Sequence, residues 1–151
     1  MKKLILLCLI TSINFAQKKE AFFNATAIQT GYANIGKNFA YVCLEKRIDE
    51  GKNWFFVNVG AGSYISYFDN KIQFVPEFHV NATMAILMGQ LAVTKMGFEP
   101  SIGLNISNYI QLKVGYNYSF APQYFKGTTF GININFGDKD YHYMAPMKII
   151  Q

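Results

Sequence analysis

Five ionisable residues fall at alternate positions of apolar-patterned segments, where a two-residue period would turn them toward one enclosed space. Glu77 and His79 stand two apart, on the same face as Gln73, Asn81 and Thr83. Lys95 and Glu99 share a face with Gly97, Ser101, Gly103 and Asn105, and Lys113 shares one with Gln111, Gly115, Asn117 and Ser119. Charges enclosed together must pair and hydrogen-bond, because an unpaired buried charge costs several kcal/mol. Glu77, His79, Lys95, Glu99 and Lys113 are therefore candidates for an interior polar network. That network could be a structural plug, a gated proton or ion path, or a small-ligand pocket.

Other chemistry finds less support. His79 and His142 are the only histidines, and neither stands at a metal-ligand spacing from Cys, Asp or Glu, so no metal ligand and no cofactor site is assigned. No glycine-rich phosphate loop is present. Twelve basic residues against nine acidic ones, once Lys2 and Lys3 are set aside, are scattered along the chain rather than gathered in a stripe, which argues against nucleic acid as a partner.

The positioning elements follow from the same period. From Tyr109 to Phe120, Ile110, Leu112, Val114, Tyr116, Tyr118 and Phe120 alternate with Gln111, Lys113, Gly115, Asn117 and Ser119. From Thr129 to Phe136, Phe130, Ile132, Ile134 and Phe136 alternate with Thr129, Gly131, Asn133 and Asn135. One face suits lipid and the other water, the pattern of membrane β-strands. Turn signals divide the chain into segments at 22–33, 39–47, 54–67, 72–86, a stretch ending at Ile106, 109–120 and 129–136. Pro76 and Pro100, lacking a donor, each predict a bulge, a strand end or a rim position.

Seven segments are one short of the even number that bacterial barrels use. The eighth strand fits either within 81–106 or in the tail, around 141–149. The turns at 69–70 and 107–108 read as lying on one side and the longer connections on the other, an arrangement that a strand within 81–106 would break.

The amino terminus has the charged, apolar and small-residue order of a signal peptide, Met1-Lys2-Lys3, Leu4 to Ile10, then Ala16, with cleavage expected after Ala16. The domain reading is a signal peptide over 1–16, a β-barrel domain over 17–137, and a tail or additional strand over 138–151. About 135 residues then remain, room for one domain, and Cys43 is the only cysteine left to it. Aromatics make up 17% of the chain; Tyr32, Phe39, Tyr64, Tyr67, Tyr109, Phe120 and Phe136 fall near predicted strand ends, where membrane barrels carry their girdles.

The stretch from Phe98 to Tyr118, with Glu99-Pro-Ser-Ile-Gly103, a short turn and an alternating strand ending Gly115-Tyr-Asn117, resembles the penultimate hairpins of small outer-membrane β-barrel proteins of the porin-like superfamily. Phe136 is similar to the terminal aromatic that the barrel-assembly machinery recognises, although 15 residues follow it here. The resemblance implies an all-β, antiparallel, up-and-down transmembrane barrel of eight strands. It implies export to the outer membrane, with outer-membrane lipids and the assembly machinery as partners. His79-Val-Asn-Ala82 also bears on the lipid A deacylases, whose His-x-Ser-Asn-Ala phrase has a serine that this chain lacks, so no nucleophile is available and no enzyme is expected.

The functional expectation is a structural or interaction barrel of the cell envelope, its interior filled rather than open. One alternative is a soluble periplasmic barrel holding an apolar ligand, which requires the Ile110, Leu112, Val114, Tyr116 face to point inward; a lipid-modifying barrel enzyme, for which the nucleophile is missing, is the third reading.

Overall fold

The computed structural model describes residues 25–48, 55–68, 70–120, 125–137 and 141–142. The 1–16 leader lies outside the described residues. Eight strands follow one another in a single antiparallel meander: β1 (Thr26–Ile35), β2 (Asn38–Arg47), β3 (Phe55–Phe68), β4 (Lys71–Met84), β5 (Leu87–Thr94), β6 (Gly97–Ile106), β7 (Ile110–Ser119) and β8 (Gly127–Gly137). β8 pairs back onto β1, from Ala27↔Gly137 to Ile35↔Thr129, and closes the barrel. Closure satisfies every strand edge, which open sheets must instead protect.

The strand that the segment count lacked is β5, within the 81–106 stretch. The tail does not supply it: residues 141–142 form a turn, and 143–151 lie outside the described residues. Met88-Gly89-Gln90 reads as a break but lies within β5. Gly89 faces outward, and a Cβ there would meet nothing within 4 Å. The true turn is Ala85-Ile86, where Ala85 holds φ at 57° without any glycine, asparagine or proline to mark it. The next connection, Lys95-Met96, is held by Thr94, whose Oγ1 accepts from the backbone N–H of Met96 and of Gly97, both at 3.1 Å.

Adding β5 places the turns at 69–70 and 107–109 on opposite rims, contrary to the loop-length reading. One rim, called here the terminal rim, carries the start of β1, the end of β8 and the connections at 48–54, 85–86 and 107–109. The far rim carries 36–37, 69–70, 95–96 and 120–126. Short turns occur on both rims, so length does not distinguish them. At the 107–109 turn Ser107 and Asn108 both take positive φ, 50° and 61°, the two-residue geometry that matches strand twist.

The prolines sit where ladders fail. Pro76 pairs with Ser63 on β3 but lies one residue beyond the end of the β4–β5 ladder at Glu77↔Thr94. Pro100 falls in a gap of the β6–β7 ladder between Phe98↔Tyr118 and Ser101↔Gly115.

The two faces are chemically opposite. Ile110, Val114, Tyr116, Phe130, Ile132 and Ile134 are exposed, together with Ile102, Leu91, Val80 and Leu44 on the other strands. Among outward strand positions only Lys46, near the terminal rim, carries a charge. The inner wall holds Gln29, Glu45, Asn58, Glu77, His79, Asn81, Glu99, Gln111, Lys113 and Asn135, all buried. This overturns the alternative with an apolar interior, since the face it needed inside is the outer wall.

Candidate functional site

Inward residues interlock because large and small side chains alternate around the barrel. One row of paired positions runs Ala27, Glu45, Gly60, His79, Ala92, Glu99 across β1 to β6. An eight-stranded barrel leaves room inside for side chains and little else, so each large group needs a small neighbour. Gly60 shows why: a Cβ there would overlap the His79 imidazole and come within 2.9 Å of Cys43 Sγ. The missing side chain lets His79 on β4 reach across β3 toward β2.

His79 is the hub of this half of the interior. Its Nδ1 lies 3.0 Å from Glu77 Oε1 and 3.3 Å from the Tyr41 hydroxyl, and Nε2 lies 3.4 Å from Glu45 Oε2. Tyr41 donates its hydroxyl to Glu77 Oε2 at 2.6 Å. Glu45, wholly buried, also accepts from Gln29 Nε2 at 2.7 Å and Asn81 Nδ2 at 2.9 Å. Gln29 Nε2 further reaches Gln111 Oε1 at 2.9 Å and Asn135 Oδ1 at 2.8 Å, tying β1 to β7 and β8.

The other half is less well satisfied. Lys113 Nζ stands 3.7 Å from Glu99 Oε1 and 3.4 Å from the Tyr64 hydroxyl, above the faces of Tyr41 and Tyr64. Neither Glu99 oxygen makes a hydrogen bond among the described residues, nor do Ser101 Oγ, Thr129 Oγ1 or the Asn117 amide.

Aromatic residues cover both mouths. At the far rim Phe125 packs edge-on against Phe39 and Tyr64, with centroids at 5.3 and 5.7 Å. Phe39 and Tyr64 therefore belong to this inner cluster and not to an outer girdle. Tyr32, Tyr67, Tyr109, Phe120 and Phe136 are exposed. At the terminal rim Tyr141 is fully buried: its carbonyl accepts from Asn108 Nδ2 at 2.9 Å and its hydroxyl from Asn135 Nδ2 at 3.0 Å. His142 stacks on Tyr109 at 3.7 Å. Burial, with the Glu45 charge adding to it, pushes the Tyr141 phenol well above the usual tyrosine range.

Of the five candidates from sequence, Glu77, His79, Glu99 and Lys113 lie buried in the interior. Lys95 does not. It occupies the exposed β5–β6 turn, where its ammonium stays hydrated without needing a partner. Sequence reasoning missed Glu45, the acceptor that most donors share. Phe39, Tyr41, Cys43, Glu45 and Arg47 form one face of β2, but Ala40, Val42 and Leu44 make the other face apolar too, so alternation alone leaves the inner one undecided. It also missed that closure brings Cys43, Glu77 and His79 together, their ligand atoms within 4.8 Å of one another. Cys43 lies on β2 and the other two on β4, so no local spacing announces the group.

No protein-family profile matches the chain, and no curated protein matches it. A search of solved structures finds similarity to the outer membrane protein Ail of Yersinia pestis, determined as a backbone structure in a phospholipid bilayer nanodisc. The match has 17% identity and a TM-score of 0.38, and covers 74% of this chain and 98% of that one.

Proposed function

We propose that the chain is a small outer-membrane β-barrel with a structural or interaction role in the cell envelope, its interior filled by side chains rather than open to solutes. One observation carries the reading: an almost uncharged apolar wall surrounds the barrel on all sides while its charges point inward. Among the described residues thirty large apolar and aromatic side chains stand exposed, whereas the largest apolar patch of a soluble monomer covers only about 300–600 Å². Strands of 8–14 residues match the roughly 9–11 that a tilted strand needs to cross a bilayer. Outer-membrane lipids are then the solvent of the outer wall, and the barrel-assembly machinery the partner during insertion. Export by the 1–16 leader completes the reading.

The far-rim cluster of Phe39, Tyr64 and Phe125, with Tyr141 at the other mouth, supports a closed interior. The buried polar groups then serve to lock strand register rather than to catalyse, and no nucleophile is assigned. The test is to express the full chain in a Gram-negative host, fractionate the envelope, and compare gel mobility with and without boiling. A heat-modifiable band in the outer membrane is the expected result; a soluble periplasmic band overturns the proposal.

A further inference from the structure

We propose that Cys43, Glu77 and His79 form a binding site for a borderline-soft divalent cation of the zinc class inside the barrel. The donor set is the first ground. A thiol, an imidazole and a carboxylate are the ligand types such ions select, and here they converge from two strands with all ligand atoms within 4.8 Å. A tetrahedral ion holds its donors roughly 3.5 Å apart, so closure requires side-chain shifts of about an ångström. The Tyr41 hydroxyl, 3.3 Å from His79 Nδ1 and 2.6 Å from Glu77 Oε2, stands where a fourth oxygen ligand is needed.

The geometry around His79 is the second ground, independent of the donor count. Glu77 Oε1 and the Tyr41 oxygen both crowd Nδ1, at 3.0 and 3.3 Å. On the other side Nε2 is buried with no hydrogen-bond partner, its ion pair with Glu45 standing at 3.4 Å. Whichever ring nitrogen lacks a proton faces a carboxylate oxygen, Glu77 Oε1 at 3.0 Å or Glu45 Oε2 at 3.4 Å, so the pocket favours a positive charge between them. A ligating histidine commonly gives its other N–H to a carboxylate that is itself held in place. Glu45 meets that description, fixed by Gln29 at 2.7 Å and Asn81 at 2.9 Å. Gly60 supplies the room for the imidazole.

The exchange balances in charge. A divalent ion held by a thiolate, a neutral imidazole and a carboxylate carries no net charge, and the protons it displaces leave to bulk water. The Phe39, Tyr64, Phe125 cluster covers the far-rim mouth and Tyr141 the other, so the ion enters as the barrel folds and leaves slowly afterwards.

Cobalt(II) is the probe. The full chain is refolded from urea into detergent micelles with Co²⁺, stripped of loose metal with EDTA, and examined for metal content and absorbance. One cobalt per chain is expected, with a thiolate-to-cobalt charge-transfer band in the near ultraviolet and the intense visible bands of tetrahedral cobalt. Cys43→Ser removes the charge-transfer band, and Cys43→Ser and Glu77→Gln each lower retained cobalt at least tenfold, while Glu99→Gln on the opposite wall leaves it unchanged. Heat-modifiable mobility checks that each variant has folded. If a variant fails to fold, the wild-type spectrum decides alone. Folded wild type retaining less than about one ion in ten chains, or cobalt bound without the charge-transfer band, overturns the site and leaves His79 as an imidazolium between Glu45 and Glu77. The outcome is separate from where the barrel resides, which envelope fractionation reads.

Discussion

Lys113 and Lys95 make a matched pair for testing the interior, because sequence periodicity puts both inside and the structure keeps only one there. Lys113 Nζ lies 3.7 Å from Glu99 Oε1, and both side chains are almost wholly buried. At an effective dielectric constant of 20 the attraction across that distance is about 4–5 kcal/mol, offset by the cost of desolvating both ions. Replacing Lys113 with methionine keeps the stem that packs beside Gly131 but strands a carboxylate with no hydrogen bond to either oxygen. The expected loss is about 3–5 kcal/mol. Lys95→Met, on the exposed turn, should change stability by less than about 0.5 kcal/mol. The double replacement Lys113→Met/Glu99→Met removes both ions and should be more stable than Lys113→Met alone, by at least about 2 kcal/mol. Urea unfolding in detergent micelles, followed by circular dichroism and gel mobility, measures the wild type, Lys113→Met, Lys95→Met, Glu99→Met and the double variant. Equal effects of Lys113→Met and Lys95→Met would refute the interior pairing, and a double variant as unstable as the sum of its singles would refute the coupling.

Val114, outward and midway along β7, tests the apolar wall. Val114→Arg should cost about 2–4 kcal/mol at the centre of a bilayer, whereas a water-facing site would tolerate it within about 0.5 kcal/mol; refolding into lipid vesicles distinguishes the two. The two glycines on opposite faces should respond oppositely. Gly60→Ala drives a methyl into His79 and should destabilise by about 1–3 kcal/mol, while Gly89→Ala meets nothing and should be neutral in the same urea titration. Docking of Tyr141 is pH-dependent in one direction. Burial favours its neutral phenol, so docking is at full strength below the ordinary tyrosine pKa of about 10 and weakens as pH rises beyond it. Cleavage of the 138–151 segment by an alkaline-active protease should accelerate above that pH, and Tyr141→Phe, which cannot ionise, should lack the acceleration.

The faces of β6, β7 and β8 were legible because each alternates large apolar residues with small or polar ones over nearly its whole length, Pro100 on β6 being the main exception. β5 was not legible by the same reading, although the 72–86 segment ends at the turn that leads into it. That turn, Ala85-Ile86, carries none of the residues that mark reversals, and Gly89 imitates a break where the outer wall merely has a dent. The error at Lys95 has the same origin. Thr94 turns the chain with its own hydroxyl, so the inward parity that begins at Gly97 does not extend back to Lys95. Phe39 and Tyr64 were misplaced for another reason: an aromatic at a strand end serves an outer girdle or an inner plug equally well, and only the strand's parity at that point decides.

Partners are harder to read than faces, because a side chain's neighbours in a barrel are set by register across strands and not by distance along the chain. Glu45 meets His79 only because Glu45 pairs with Gly60 and Gly60 with His79. A slip of one residue in either ladder would turn the imidazole to the outer wall. Once both ladders are known, the small residues become informative in retrospect. Gly60 interrupts the inner face of β3 where His79 must cross it, and Cys43 is compact enough to share that space, whereas a Cβ at Gly62 would meet β2 itself at Val42 and Cys43. Gly60 and Gly131 each mark the place where a large group from the next strand, His79 or Lys113, passes over. In this chain Gly60 opens the route by which β4 delivers its histidine toward Glu45 on β2. The interior network is consequently specified twice, once by the residues that fill it and once by the glycines that leave it room. Only the first of these is visible before the register is fixed.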